Sequence, residues 1–392
     1  MRTFLTLLLL CTTVQLGLAQ TVTSISFETS QSMDGLYLDP ASDQLFATGG
    51  FQGTKVYLID RGGDFRTAGD GLVGPIHLTR STDGNLYATD FSPQSTQGTV
   101  SRITPDGRRT VFARVKAGPS DIVADADGNL YVTHYGGLNT ADGRSVSKIT
   151  PDGQVSDFSS GGRLVAPVGI AMDDEGFIYT ANIFDGRIVK IAPDGSQTLF
   201  AALTPVAPFT IGHLAWANGR LFATHLGAHQ IYAFERDGTK RVVAGSGQPG
   251  HTDGPAATAT FRNPNGIAAS VTGDTLYVSE YVGSTRQLRM ITGVGTTSTS
   301  AVDRPASPTL NLTAYPNPMT TQATITYTLP RAEHVSVVAY DLLGREVKNV
   351  AQGFRAAGSH VVEWVPQGLA DGVYVLRLLA GAYTGAHTVI VR

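Results

Sequence analysis

Leu86-Tyr87-Ala88-Thr89 is one copy of a strand that the chain writes six times. The others are Leu45-Phe46-Ala47-Thr48, Leu130-Tyr131-Val132-Thr133, Ile178-Tyr179-Thr180-Ala181, Leu221-Phe222-Ala223-Thr224 and Leu276-Tyr277-Val278-Ser279. Their spacing runs from 41 to 55 residues, close to the ~40–50 of a propeller blade. Large and small side chains alternate, and β-branched and aromatic types are enriched, which marks a strand with two distinct faces. A short apolar strand precedes each copy, as at Gly169-Ile170-Ala171-Met172. Asp-Gly-Asn turns join the two at 83–85 and 127–129, supplying the positive φ of a tight hairpin. A third strand follows, as at Val100-Ser101-Arg102-Ile103, and Pro-Asp-Gly turns close it at 105–107, 151–153 and 193–195. An outer strand such as Thr110-Val111-Phe112-Ala113 completes the unit. Four antiparallel strands repeated radially make a six-bladed β-propeller. The sixth unit shows three strands, ending near Leu288-Arg289-Met290-Ile291. Its fourth is expected from Val22 to Phe27, which closes the ring and removes two exposed edges.

The rest of the 392-residue chain sets the address. Arg2, the apolar run from Phe4 to Cys11, and small residues at Gly17 and Ala19 read as a secretory leader cleaved between Ala19 and Gln20. The run is too short to span a bilayer, and Leu10 stands where a lipid anchor on Cys11 needs a small residue. Cys11 is the one cysteine, so the mature chain has no disulfides and depends on core burial. Charged residues are 16% and hydrophobic ones 42%, a globular profile. A net charge of -3 without a basic run excludes nucleic acid as a partner. The expected organisation is a leader (1–19), the propeller (20–292), a Thr/Ser/Gly/Pro linker (293–309) and a C-terminal module (310–392). The module carries five short strands, from Ala323 to Leu329 through Thr388 to Val391, and reads as a small Ig-like β-sandwich. All-β is therefore the expected fold class throughout.

The repeats resemble the NHL and gluconolactonase-like propellers. The carrying stretch is Ala244-Gly245-Ser246-Gly247, Gly250-His251-Thr252-Asp253-Gly254, Ala259-Thr260-Phe261 and Pro264-Asn265-Gly266-Ile267-Ala268. The C-terminal module resembles the type IX secretion system sorting domain. Its motifs are Tyr315-Pro316-Asn317-Pro318, the Tyr340-to-Val347 stretch with Asp341, Leu343, Gly344 and Arg345, the Gly372-Val373-Tyr374 segment, and the ending Val389-Ile390-Val391-Arg392. Met319 and His387 depart from the usual residue types of that pattern. The resemblance implies the type IX machinery and its sorting peptidase as partners. It also implies crossing of both membranes, removal of the tag, and surface attachment or release.

Chemistry is expected where first strands start and second strands end, since both lie at one end of the ring. Asp34, His77, Asp121, His213 and Asn265 stand in the first column, and Asp90, His134, Asn182, His225 and Glu280 in the second. Imidazoles and carboxylates around one mouth suit a divalent metal (Ca, Mg, Mn or Zn) or a bound ligand. Gluconolactonase-like enzymes place acidic and amide ligands before a Gly-apolar pair. Asp34 and Asn265 fit that pattern; Ile76, Val168 and Gly212 do not. Streptogramin lyase-like propellers carry a functional His directly after Pro. Here Pro75-Ile76-His77-Leu78 moves it by one place, which strand alternation turns to the other side. Ser120, Asp121 and His134 lack any nucleophile elbow. Asp125-Ala126-Asp127-Gly128-Asn129 reads as a hairpin turn rather than a calcium loop. The Asn311-Leu312-Thr313 sequon reads as plain linker. Two functions remain: a surface or secreted propeller that binds a ligand, glycan or protein at the mouth, and a metal-dependent hydrolase or lyase. A surface-layer component is a third reading.

Overall fold

Each of the six repeats forms the second strand of its own sheet, at Leu45–Thr48, Leu86–Asp90, Leu130–His134, Ile178–Asn182, Arg220–His225 and Thr275–Glu280. The computed structural model describes residues 20–25, 33–60, 64–92, 95–137, 143–280, 287–295, 310–340, 346–380 and 383–392. Ala19, Asp341, Leu343, Gly344 and Arg345 lie outside them. The chain divides into two compact units, Met1–Ser298 and Thr299–Arg392. Among the described residues no helix is long and apolar enough to cross a membrane.

The first unit is the six-bladed propeller. Blade two shows the pattern: Pro75–Arg80, Leu86–Asp90, Gln97–Ile103 and Arg109–Lys116 pair antiparallel in sequence order. The hairpin turns hold Gly84 and Gly128 at φ +82°, where a β-carbon is unfavourable. Asp83 pins its turn by accepting from Asn85 N (3.0 Å) and the Tyr87 hydroxyl (2.8 Å). Asp125 and Asp173 repeat the device with Tyr131 and Tyr179, so the Asp125 segment is the turn it was expected to be. Between blades the sheets bury apolar faces. Phe222, Ile267, Leu276 and Val278 join blades five and six, while Tyr179, Leu214 and Leu221 join four and five. Each such side chain contributes about 1.5–3 kcal/mol.

The recurrent Thr or Ser of the repeat ties each blade to the next. Thr48 Oγ1 donates to Ile76 O (2.7 Å), Thr89 to Ser120 O (2.7 Å), Thr133 to Val168 O (3.1 Å), Thr224 to Asn265 O (2.7 Å) and Ser279 to Asp34 O (2.6 Å). The ring breaks between blades four and five. There the order is Thr180-Ala181, and the two-residue period carries the hydroxyl to the other face. Thr180 Oγ1 is buried without a hydrogen-bond partner among the described residues.

The ring closes as the sequence implied. Thr21–Ile25 pairs antiparallel with Leu288–Thr292, with Val22 opposite Ile291. A two-residue strand, Gly254–Pro255, then covers its outer edge. The second unit is a sandwich of a three-stranded and a four-stranded sheet around Ile325, Val337, Trp364, Leu376 and Leu378. Its sorting motif is structural at Asn317, which accepts from Ile390 N (2.9 Å) and donates to Thr388 O (2.8 Å). Met319 is fully buried, and its carbonyl accepts from Arg392 N. The Tyr374 hydroxyl donates to Ala370 O in the turn that leads into the Gly372–Ala380 strand, while Tyr315, before the cis Pro316 and Pro318, stands exposed.

Candidate functional site

The inner strands of blades two to six each begin with a β-bulge, as between Pro75 and Leu78 and between Pro119 and Ile122. The extra residue breaks strict alternation and re-aims side chains. His77 is therefore not turned away. The alternation argument fails at this position, and the ring points across the channel, where it stacks on His213 with centroids 5.0 Å apart. Blades two and five are opposite members of a six-fold ring, so only a contact across the axis can join them. Glycine makes the room. A β-carbon on Gly35 would sit 2.3 Å from the His77 ring, and one on Gly169 would sit 2.6 Å from Gly212 O.

Asp121 is the centre of this cluster and is fully buried. Its Oδ1 lies 2.7 Å from His77 Nδ1 and its Oδ2 2.9 Å from His213 Nδ1. It also accepts from its neighbour Ile122 N (2.7 Å) and from Ile170 N of blade four (2.9 Å). The outer ring nitrogens are engaged too. His77 Nε2 donates to Leu36 O (3.0 Å), and His213 Nε2 faces Asp34 Oδ1 at 3.4 Å. Asn265 Nδ2 donates to the same Asp34 oxygen. The chain Asn265, Asp34, His213, Asp121, His77 thus crosses the channel and draws on five blades. Burial works against the Asp121 anion, but the two imidazoles outweigh it and hold the carboxyl well below its usual range. Burial likewise opposes a charged His213, yet Asp121 and Asp34 raise it to about 10, so this ring is a cation at neutral pH.

The five second-strand candidates do not join this cluster. The residue before each end is the interblade Thr or Ser (Ala181 in blade four), and alternation turns the end residue into its own blade. Asp90 bonds Ser101 and Arg109. His134 Nε2 meets Ser147 Oγ at 2.8 Å. Asn182 accepts from Val165 N and donates to Arg163 O. His225 packs beside the Tyr232 ring, and burial lowers its pKa. Glu280 sits between Arg289 Nη1 (3.2 Å) and His251 Nδ1 (2.6 Å), with its pKa raised by burial. Arg289, His251 and Asp253 were not singled out from the sequence, although the NHL-like stretch contains two of them.

A second feature escaped the sequence reading. Phe51, Phe91, Tyr135 and Phe184 follow the second strands of blades one to four, and Phe209 precedes the inner strand of blade five. Their rings contact in series at 4.6, 6.2, 6.3 and 5.9 Å. The available signal was an aromatic residue recurring one to three places after the strand ends.

His134 carries a pH test. Burial, then the Lys116 charge, pushes its pKa down to about 4. With the folded value below the ordinary ~6.5, the unfolded chain takes up the proton first as pH falls. The stability this ring confers is complete above pH ~6.5 and declines by about 3 kcal/mol as pH falls through its folded value. Denaturation of the wild type and His134→Gln at pH 7.5 and 4.5 checks this. The variant is expected to lose about 2–3 kcal/mol less between the two pH values; equal losses contradict it.

Residues 18–287 match the virginiamycin B lyase family. The chain belongs to that family. Over 150 residues it is 31% identical to the virginiamycin B lyase of Nocardia farcinica, covering 38% of this chain and 48% of that protein. The match thus spans about half of that relative. Solved structures agree on the propeller fold. A protein of unknown function from Bacteroides thetaiotaomicron superposes with a TM-score of 0.57 at 15% identity, covering 70% of this chain and 76% of the other. A gluconolactonase of Xanthomonas campestris gives 0.52 at 16%, covering 69% and 88%. Residues 313–392 match the secretion system C-terminal sorting domain. This virginiamycin B lyase family member is therefore an exported protein handled by the type IX machinery and delivered to the cell surface or the medium.

Proposed function

We propose that the exported propeller binds a small ligand at the channel mouth, over the cluster of Asp34, His77, Asp121, His213 and Asn265. The supporting observation is the cluster itself. Burying two carboxylates and two imidazoles is costly, and an apolar plug of similar volume is often as stable or more so. Asn265, Asp34 and His77 keep 8%, 7% and 6% of their surface, whereas Asp121 keeps none. The first three are the side a ligand reaches, and Asp121 holds the histidines from behind.

A second reading, a metal-dependent hydrolase or lyase, draws on the same geometry. Ligand atoms of His77, Asp121 and His213 all lie within 4.8 Å of one another. His77 Nε2 needs its proton for Leu36 O, so an unprotonated Nδ1 would face the carboxylate at 2.7 Å. Two acceptors cannot stand so close without a proton or metal ion between them. The donor types fit a divalent ion, which would supply Lewis-acid polarisation of a bound oxygen. Ligand atoms around a tetrahedral ion sit roughly 3.4 Å apart, so the cluster would have to widen. Elemental analysis of the purified protein, with melts in added Ca²⁺, Mg²⁺, Mn²⁺ and Zn²⁺, separates the readings. A stoichiometric ion lost in His77→Ala supports the metal reading. Metal-free protein that no ion stabilises removes it. Ligand binding at the mouth is tested by fragment titration followed by NMR, with Asp34→Asn and Asn265→Ala expected to weaken the hits.

A further inference from the structure

The outermost strand of each blade is a sheet edge, and the chain treats its six edges differently. These strands are Phe65–Gly69, Arg109–Lys116, Val155–Ser160, Gln197–Ala202, Lys240–Ala244 and, in blade six, Thr21–Ile25. Charge on an edge strand discourages pairing with another chain. Blade one carries Arg66 there, blade two Arg109, Arg114 and Lys116, blade three Asp157, and blade five Lys240 and Arg241. The remaining two edge strands have no charged residue. One of them, Thr21–Ile25, is covered by Gly254–Pro255, and Asp253 accepts from Ser24 N (2.8 Å). The other, Gln197–Ala202 of blade four, has no strand beyond it among the described residues. A bulge against the third strand recurs in blades one to five and so singles out no edge. Lys240 Nζ donates to Ala202 O and closes one end. Gln197 to Ala201 stay open, and Leu199 in their middle is 48% exposed.

We propose that a second copy of this chain pairs with the blade-four edge, antiparallel and about a two-fold axis. The charge pattern argues for this occupant. An edge that meets its own copy meets its own charges, and like charges directly opposite are destabilising. Gln197-Thr198-Leu199-Phe200-Ala201 brings none, whereas the edges of blades two and five would set cations against cations. Blade six shows the chain adding a strand where its own outer strand lacks charge. In blade four the added strand comes from the partner. Symmetry then fixes the register. A two-fold axis perpendicular to the sheet keeps every side chain on its own face. A residue therefore lies opposite itself, or opposite one an even number of places away. Centring on Leu199 sets it against the partner's Leu199, with Thr198 against the partner's Phe200. The open N–H and C=O groups gain partners, and the exposed Leu199 surface is buried. So short a strand pair falls below the size of a standard interface, which makes the association weak and concentration-dependent.

Residues 20–392 contain no cysteine, so a single added thiol in the mature full chain reports contact between copies. Leu199→Cys sets two thiols opposite each other at a separation that a disulfide spans. Val111→Cys and Val242→Cys are the controls. They stand at the same place in the repeat, four residues after the turn glycine, and are 48% and 41% exposed. Under mild oxidation Leu199→Cys is expected to give disulfide-linked dimer about tenfold faster than either control. Sedimentation of the wild type is expected to show a reversible dimer with a Kd of about 0.1–1 mM. Leu199→Lys, which puts two cations opposite each other, is expected to weaken it about tenfold. Melting temperatures stay close to wild type because the side chain is exposed. Equal cross-linking at the three positions overturns the inference, as does a sedimentation profile that Leu199→Lys leaves unchanged. Slow hydrogen exchange at Gln197–Ala201 that is independent of concentration, without cross-linking, assigns the edge to another segment of this chain and also overturns it.

Discussion

Asp121→Ala is expected to lower the unfolding free energy of the propeller by about 3–5 kcal/mol. The carboxylate holds His77 on one oxygen and His213 on the other, and takes Ile170 N from the neighbouring blade. Removing it leaves the His213 cation buried with Asp34 at 3.4 Å as its remaining anion. It also leaves two stacked imidazoles with no charge between them. Breaking a buried ionic network costs more than replacing it whole. The triple variant Asp121→Leu/His77→Leu/His213→Leu is therefore expected to recover most of the loss, as a coupled and non-additive set. Urea denaturation of the three proteins reads this directly, provided the slopes match. A single substitution that costs under about 1 kcal/mol would show that the network is not what joins these blades. A triple variant as unstable as the single one would show that packing, not charge, governs the site.

How much of this was legible in the sequence depends on which regularity carried it. The second-strand motif settled the fold because a two-residue period repeated six times, with turns at matching offsets, is consistent with one architecture. The same motif carried more than strand identity. Its Thr or Ser is the interblade hydrogen bond, and the inversion at Thr180-Ala181 marks the interface that lacks it among the described residues. Closure by Thr21–Ile25 was also readable, since a blade lacking its outer strand leaves an edge to be filled.

The site was half legible. Asp34, His77, Asp121, His213 and Asn265 could be gathered because strand starts share one end of the ring. Asp90, His134, Asn182, His225 and Glu280 share that end as well, but side-chain direction sends them into their own blades. Two-residue alternation, applied to the sequence only at His77, holds along the second strands and fails at the bulged starts of the inner ones. A bulge adds a residue without a strong sequence mark. The one recurring hint is the proline that opens the inner strand at Pro75, Pro119, Pro167 and Pro264. Proline lacks the donor that a regular ladder would use there. The aromatic series from Phe51 to Phe209 was missed because its members stand at slightly different offsets from the repeat.

Arg289→Met is expected to loosen the ring at its closure and cost about 3–5 kcal/mol. The guanidinium is fully buried. It binds Glu280 (3.2 Å), Asp253 (2.8 Å) and the carbonyls of Thr260 (2.8 Å) and Thr252 (3.2 Å), and lies over the Phe261 ring. Asp253 in turn accepts from Ser24 N and Oγ, so the arginine positions the group that anchors the first strand. Without it, Glu280 keeps His251 and Arg262 N but loses its buried cation. Hydrogen exchange at Thr21–Ile25 should then accelerate from global-unfolding to local-opening behaviour, ahead of the other outer strands. Arg289→Met/Glu280→Gln should regain part of the stability, because no carboxyl is then left buried without its cation. The strand held this way precedes the other described strands of the propeller and pairs with one of the last of them, so the ring cannot close until nearly the whole unit is available to fold, and the clasp acts only at that point. Unchanged exchange at Thr21–Ile25 in Arg289→Met, with unchanged stability, would mean that backbone pairing alone seals the ring and that the buried arginine serves something else.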